Sequence, residues 1–95
     1  MTSVLITGAN RGIGLELSQQ YFTNGDRVYA CCRSPKTAAE LTALANASDG
    51  MVSIHTMDVS SEDSIKACAE ELSEASIDVL INNAGVYGGE HQTIG

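Results

Sequence analysis

Three glycines, Gly8, Gly12 and Gly14, stand in the spacing Gly-x-x-x-Gly-x-Gly within Thr7-Gly8-Ala9-Asn10-Arg11-Gly12-Ile13-Gly14. The octapeptide lies directly behind the apolar run Val4-Leu5-Ile6 and ahead of Leu15-Glu16-Leu17, so it reads as a turn from a strand into a helix. Such a turn, free of side chains, lets the backbone come close to a diphosphate, and the helix behind it offers free N–H groups and a positive end. The spacing is not Gly-x-Gly-x-x-Gly, and no Lys follows the last glycine as in a nucleoside-triphosphate loop. The alternative reading of the octapeptide is a tight strand-to-helix turn that holds no ligand.

Further candidates stand at the ends of later apolar runs. Asp58-Val59 follows the run from Met51 to Met57, and Asn82-Asn83-Ala84-Gly85 follows Asp78-Val79-Leu80-Ile81. Singly, Asp58 is also a helix-start residue and Asn82-Asn83 a plain turn. His55 and His91 are far apart with no third ligand patterned around them, which argues against a metal site. No serine sits on a strand-to-helix elbow of the hydrolase kind. Cys31, Cys32 and Cys68 are odd in number and lack Cys-x-x-Cys spacing, so free thiols in a reducing compartment fit better than a disulfide framework. Cys31 and Cys32 are neighbours in an apparent strand, whose side chains point to opposite faces.

The elements that must position these residues alternate between short apolar strands and helix-like segments. Thr2 to Thr7 is the first strand, and a helix from Gly12 to Asn24 sets Ile13, Leu17 and Tyr21 four apart on one face. Arg27 to Cys32 is the second strand. Ser34 and Pro35 suit the cap and first position of a second helix, which carries Ala38, Leu41, Leu44 and Ala45 and fades near Asn46 to Gly50. Met51 to Met57 is the third strand. Ser60-x-x-Asp63 approximates a capping box for a third helix running to about Ala75, with Ile65, Ala69 and Leu72 inward. Asp78 to Asn82 is the fourth strand, and the tail from Gly85 to Gly95 has no period and reads as loop.

Repeated strand-helix-strand steps with continuously apolar strands predict an α/β fold: a Rossmann-like, doubly wound parallel sheet with helices on both faces. Right-handed crossovers give four strands in the order 3-2-1-4, with three helices. The fourth strand then lies on an edge, and Val79-Leu80-Ile81 is an apolar edge of the kind natural proteins rarely leave open. Residues 1–95 therefore read as one domain, the amino-terminal portion of a larger fold, with no second domain.

Composition narrows the partners. Twelve acidic and five basic residues give a formal charge of -7, which argues against nucleic acid or an anionic membrane as the main partner. No signal-length apolar stretch follows a basic start, and the apolar runs are too short to span a bilayer, so the expectation is a cytoplasmic protein.

Thr7-Gly8-Ala9-Asn10-Arg11-Gly12-Ile13-Gly14, then Asp58-Val59, then Asn82-Asn83-Ala84-Gly85, each behind an expected strand, together resemble the amino-terminal half of the short-chain dehydrogenase/reductase family. Through "TGANRGIGLEL" and "CCRSP" the resemblance leans toward carbonyl-reductase-like members. It implies that Gly8, Gly12 and Gly14 surround the diphosphate of a dinucleotide, with Ile13 the backbone neighbour nearest the nicotinamide-side phosphate and Asn10 and Arg11 further cofactor-binding residues of the turn. It further implies that Asp58 accepts from the adenine amino group while Val59 packs on the ring. Asn82, Ala84 and Gly85 would form the strand end beside the ribose and nicotinamide, with Asn82 also pinning the sheet.

Charge bears on the cofactor. An acidic residue at the end of the second strand bonds the ribose hydroxyls of NAD, whereas an added phosphate there requires positive charge. Here that strand ends Cys31-Cys32-Arg33, and Arg11 stands inside the turn, so NADP(H) is expected over NAD(H).

The catalytic residues that the resemblance implies, a Tyr four before a Lys with a Ser upstream, are not found. Tyr21, Tyr29 and Tyr87 are followed at that spacing by Gly25, Arg33 and His91. No catalytic or metal-binding residue is therefore assigned. Three readings stay open: the cofactor-binding portion of an oxidoreductase acting on a ketone, aldehyde or alcohol, a non-catalytic dinucleotide-binding protein, or a half that associates with itself through the fourth strand. For the parent enzyme the resemblance implies a homodimer or homotetramer.

Overall fold

Alternation along each strand sends its side chains to two sides of the sheet, and two apolar layers result. The computed structural model describes residues 2–83. In β1 (Ser3–Thr7), Val4 and Ile6 are fully buried on one face, while Leu5 joins the other. In β2 (Arg27–Cys32), Val28, Ala30 and Cys32 share the Val4 face and Cys31 the Leu5 face. β3 (Val52–Thr56) and β4 (Val79–Asn82) complete a parallel sheet in the order β3-β2-β1-β4, as the sequence predicts.

Helices α1 (Gly12–Thr23) and α2 (Ala39–Ala47) cover the Val4 face through Leu15 and Leu41. Helix α3 (Glu62–Glu71) covers the opposite face through Cys68. Burying a side chain such as Ile6 or Leu41 stabilises the fold by roughly 1.5–3 kcal/mol. That first layer, with ten buried residues against three in the second, is the main core.

Three local expectations are corrected. The buried face of α1 is Gly14, Leu15 and Ser18, while Leu17 and Tyr21 are half-buried and Ile13 is 70% exposed. Two of the three buried residues are small, and the buried Ser18 hydroxyl is satisfied by donating to the Gly14 carbonyl at 2.9 Å. Ser34 precedes a single 3-10 turn, Pro35–Thr37, and provides no side-chain cap; α2 starts only at Ala39. In α3 the cap is Ser61, whose hydroxyl accepts from Ser64 N at 3.2 Å, because Ser60 is engaged with Asp58.

Helix α3 also ends at Glu71, short of Ala75, and its buried residue is Cys68, with Ile65 and Ala69 exposed. An inward stripe of apolar residues needs something to face, and the sheet beneath α3 is covered only in part. A groove of about 450 Å³ runs along that face, lined in part by Leu5, Ile65, Leu72, Ile77 and Leu80. Leu80 of β4 is 66% exposed beside it. At its start, β4 is fixed to β1 by reciprocal bonds: Ser3 N donates to Asp78 Oδ2 at 2.8 Å, and Asp78 N to Ser3 O at 2.9 Å.

Candidate functional site

All four strands run the same way, so their carboxyl ends, Thr7, Cys32, Thr56 and Asn82, share one edge of the sheet. Clefts outside that edge are where open α/β sheets hold ligands. A cleft of about 720 Å³ lies there, within the ~300–1,000 Å³ range of small-molecule sites. It brings together Gly8, Asn10, Arg11, Gly12, Ile13, Arg33, Asp58 and Val59. Its remaining lining is Ser34, Thr37, Met57, Ser60 and Asn83.

The floor is the glycine turn. Gly8 and Gly12 have φ of 63° and 58°, left-handed conformations that glycine adopts without steric cost. Ala9 N donates to the Cys31 carbonyl at 3.0 Å, which ties the turn to the end of β2. Gly14 has no room for a side chain: a Cβ there would fall onto the Gly8 carbonyl oxygen and lie 2.9 Å from Asn83 Nδ2. Gly14 thus shapes the turn from behind, without lining the cleft.

The amino-terminal end of α1 opens onto this floor. Arg11 stands at its cap position in extended conformation without a side-chain cap, and no acidic residue occupies the first turn. Free N–H groups and the helix dipole therefore present partial positive charge. Arg11 and Arg33 add two guanidinium groups, both exposed, and among the described residues neither forms an ion pair. In a chain of charge -7 this is a local concentration of positive potential.

The opposite wall is the segment between β3 and α3. Asp58 Oδ1 accepts from Ser60 Oγ at 2.6 Å and from Ser60 N at 3.0 Å, and Asp58 N donates to Ser64 Oγ at 2.8 Å. The Ser60 hydroxyl, then the Ser60 amide, hold the Asp58 carboxyl below the usual carboxylate value, with the Arg33 guanidinium contributing in the same direction. Among the described residues Oδ2 has no hydrogen-bond partner, and it remains available as an acceptor. Val59 adds apolar surface beside it.

At the end of β4 the two asparagines separate. Asn82 lines the apolar groove and not the cleft, and its Oδ1 accepts from Thr7 Oγ1 at 3.0 Å. Asn83 turns into the cleft, where its Nδ2 donates to the Gly8 carbonyl at 3.2 Å. The sequence reading gave Asn83 no role of its own, although it stands in the motif that was singled out. Ser60 was also missed, and the signal was local: a Ser two residues after an Asp forms a turn on that carboxylate. Ser34, Thr37 and Met57 carried no signal, since only the bend after β2 and the end of β3 bring them to the cleft. Ala84, Gly85, Tyr87 and His91 lie outside the described residues.

Tyr29 is away from the cleft, packed on the α3 side of the sheet with Arg27 over its ring at 5.0 Å and the His55 ring at 5.8 Å. His55 in turn bonds Ser53 Oγ at 2.8 Å and lies 3.4 Å from Glu71 Oε2, without hydrogen-bond alignment to that carboxylate.

Known proteins share this arrangement. Residues 2–94 match the family described as short chain dehydrogenase. Retinol dehydrogenase 12 of Mus musculus is 39% identical over 89 residues, covering 87% of this chain and 28% of that protein. (+)-Neomenthol dehydrogenase of Arabidopsis thaliana is 36% identical over 90 residues, covering 88% of this chain and 30% of that protein. The crystal structure of a carbonyl reductase from Pseudomonas aeruginosa PAO1 in complex with NADP superposes with a TM-score of 0.85 at 39% identity, over 99% of this chain and 43% of that one. The chain thus spans less than half the length of these relatives. With the three motifs on the strand ends that the sheet order requires, the chain belongs to the short-chain dehydrogenase family.

Proposed function

We propose that this chain is the NADP(H)-binding portion of a short-chain oxidoreductase that reduces a ketone or aldehyde, or oxidises the corresponding alcohol. One observation carries the reading: the cleft joins an uncapped helix start to two arginines without ion-pair partners among the described residues. A bound dinucleotide would supply a hydride for exchange with a carbonyl carbon.

The chain's own residues divide the work of holding it. Gly8, Asn10, Gly12, Ile13 and Gly14 form and frame the diphosphate seat, in which the missing side chain at Gly14 lets α1 approach the turn. Arg11 and Arg33 face the additional phosphate of NADP(H), with the Ser34 and Thr37 hydroxyls on the same wall. Asp58 offers Oδ2 to the adenine amino group and Val59 packs on the ring. Asn82 holds the end of β4 through Thr7, and a role for Ala84 and Gly85 beside the ribose and nicotinamide belongs to the same proposal. Two of the solved relatives, from Pseudomonas aeruginosa and Burkholderia multivorans, are described with NADP bound, which supports this choice.

Proton donation to the carbonyl oxygen requires a group this sequence does not provide in the family's Tyr-x-x-x-Lys pattern. The 95-residue chain by itself is therefore proposed to bind cofactor without turnover. No described helix is long and apolar enough to cross a membrane, and three free thiols suit a reducing, cytoplasmic setting. The parent enzyme is proposed to be a dimer or tetramer. Titration calorimetry of the chain with NADPH and NADH tests the cofactor assignment: tighter binding of NADPH supports it, and equal or tighter binding of NADH overturns it.

A second reading rests on β4. Its outer edge has no neighbouring strand among the described residues, and Leu80 is 66% exposed beside the apolar groove. In isolation the chain is proposed to self-associate through this edge. A concentration-independent monomer in sedimentation equilibrium would refute it.

A further inference from the structure

Two of the three thiols meet inside the layer between the sheet and α3. Cys31 of β2 and Cys68 of α3 are both buried, with their sulfurs 4.0 Å apart and their positions 37 apart in sequence. Cys32 cannot take part, since it belongs to the opposite layer, under α1 and α2. We propose that Cys31 and Cys68 are an oxidisable dithiol site, closed by hydrogen peroxide to an intramolecular disulfide that staples α3 to β2.

The local setting decides which sulfur reacts first and what must move. Burial pushes both thiols above their ordinary value, and the contact between the two sulfurs partly offsets that rise at Cys68 alone. Cys68 also lines the apolar groove, which gives a small neutral oxidant a route to it. As the Cys68 sulfur attacks one peroxide oxygen, the O–O bond breaks and the departing hydroxide takes the proton of the Cys68 thiol, leaving a sulfenic acid and water. The Cys31 sulfur then displaces that hydroxyl, forming the S–S bond and a second water. In sum two thiols and one hydrogen peroxide give one disulfide and two waters, with sulfur oxidised and peroxide reduced.

Closure shortens the sulfur separation from 4.0 Å to about 2.05 Å. Helix α3 can supply that movement because it is short and its Ile65, Ala69 and adjoining Leu72 line the groove. Both attachment points adjoin the cleft: the Cys31 carbonyl holds Ala9 of the glycine turn, and Ser64, one turn before Cys68, holds the Asp58 amide.

The test treats the folded chain with hydrogen peroxide at neutral pH, blocks remaining thiols after denaturation, and maps the products by mass spectrometry. Loss of two hydrogens from the intact mass is expected, with one linked peptide pair containing Cys68 and the Cys31-Cys32 segment. Cys32→Ala retains the link and Cys31→Ala abolishes it. Oxidised Cys32→Ala should melt about 10 °C above its reduced form and return on treatment with dithiothreitol, as expected for closing a loop of this length. A link through Cys32, only intermolecular bridges, or sulfinic acid at Cys68 with no bridge would overturn the proposal. Where a variant fails to fold, fragmentation of the wild-type linked peptide between Cys31 and Cys32 locates the bridge and decides.

Discussion

Asn83 Nδ2 donates to the Gly8 carbonyl oxygen at 3.2 Å, across 75 residues of sequence. The bond joins the end of the outermost strand to the turn that opens α1. It fixes the orientation of a peptide whose same carbonyl oxygen would collide with any side chain at position 14. Loss of one such bond costs about 1 kcal/mol. Asn83→Ala should lower the urea midpoint by a corresponding amount and weaken NADPH binding severalfold. An unchanged affinity would remove Asn83 from the account of the site.

Gly14→Ala is expected to do more. The added Cβ meets backbone, the Gly8 carbonyl, and backbone cannot rotate away as a long side chain can. Overpacking of this kind costs about 1–3 kcal/mol. Chemical denaturation should show the loss of stability, and a variant that remains folded should have lost NADPH binding because α1 has moved off the turn. Wild-type stability together with wild-type affinity would contradict the close approach.

Arg33 separates the two cofactors. It is exposed and free of ion pairs among the described residues, so its removal should spare the fold. Loss of a charge-assisted hydrogen bond is worth about 1.5–3 kcal/mol, so Arg33→Asp should weaken NADPH binding by roughly 10- to 100-fold. NADH binding should hold or improve, since a carboxylate at this place suits ribose hydroxyls. Parallel calorimetric titrations report the ratio, and equal weakening for both cofactors would count against a phosphate contact.

Ser60 controls the titration of Asp58. Its hydroxyl and amide favour the ionised carboxylate in the folded chain, so the folded pKa lies below the ordinary value of about 3.9. The stability this provides is present above the unfolded value and is lost as pH falls through the lower folded one. Ser60→Ala should move the Asp58 carboxyl resonance titration upward. The stability difference between wild type and variant should be present at neutral pH and vanish in strong acid. Identical titration curves would show that the Ser60 hydroxyl is not the controlling contact.

Leu80→Lys places a charge on the open edge of β4 at a side chain already 66% exposed. Charged edges discourage strand pairing between molecules. Sedimentation should show less self-association than wild type with no loss of melting temperature, and unchanged association would move the contact elsewhere.

The sequence determined the strands, their order and most of the cleft. Continuous apolar runs separated by helix-length segments leave few topologies once crossovers are right-handed, and the order β3-β2-β1-β4 follows. The family motifs stand at strand ends, so Gly8, Arg11, Arg33, Asp58 and Val59 could be assigned to one site before any coordinates. Tertiary structure decided what periodicity cannot express. The inner face of α1 is Gly14, Leu15 and Ser18, and at Gly14 the Gly8 carbonyl leaves no room for a side chain. Helix α3 buries Cys68 against Leu5 and Cys31 and leaves Ile65 at the rim of the groove. Asn82 and Asn83 divide between a groove and a cleft, and Cys31 meets Cys68 while Cys32 does not. Each of these depends on which side of the sheet a residue leaves from and what stands opposite it, and only the packed chain supplies the second of those facts.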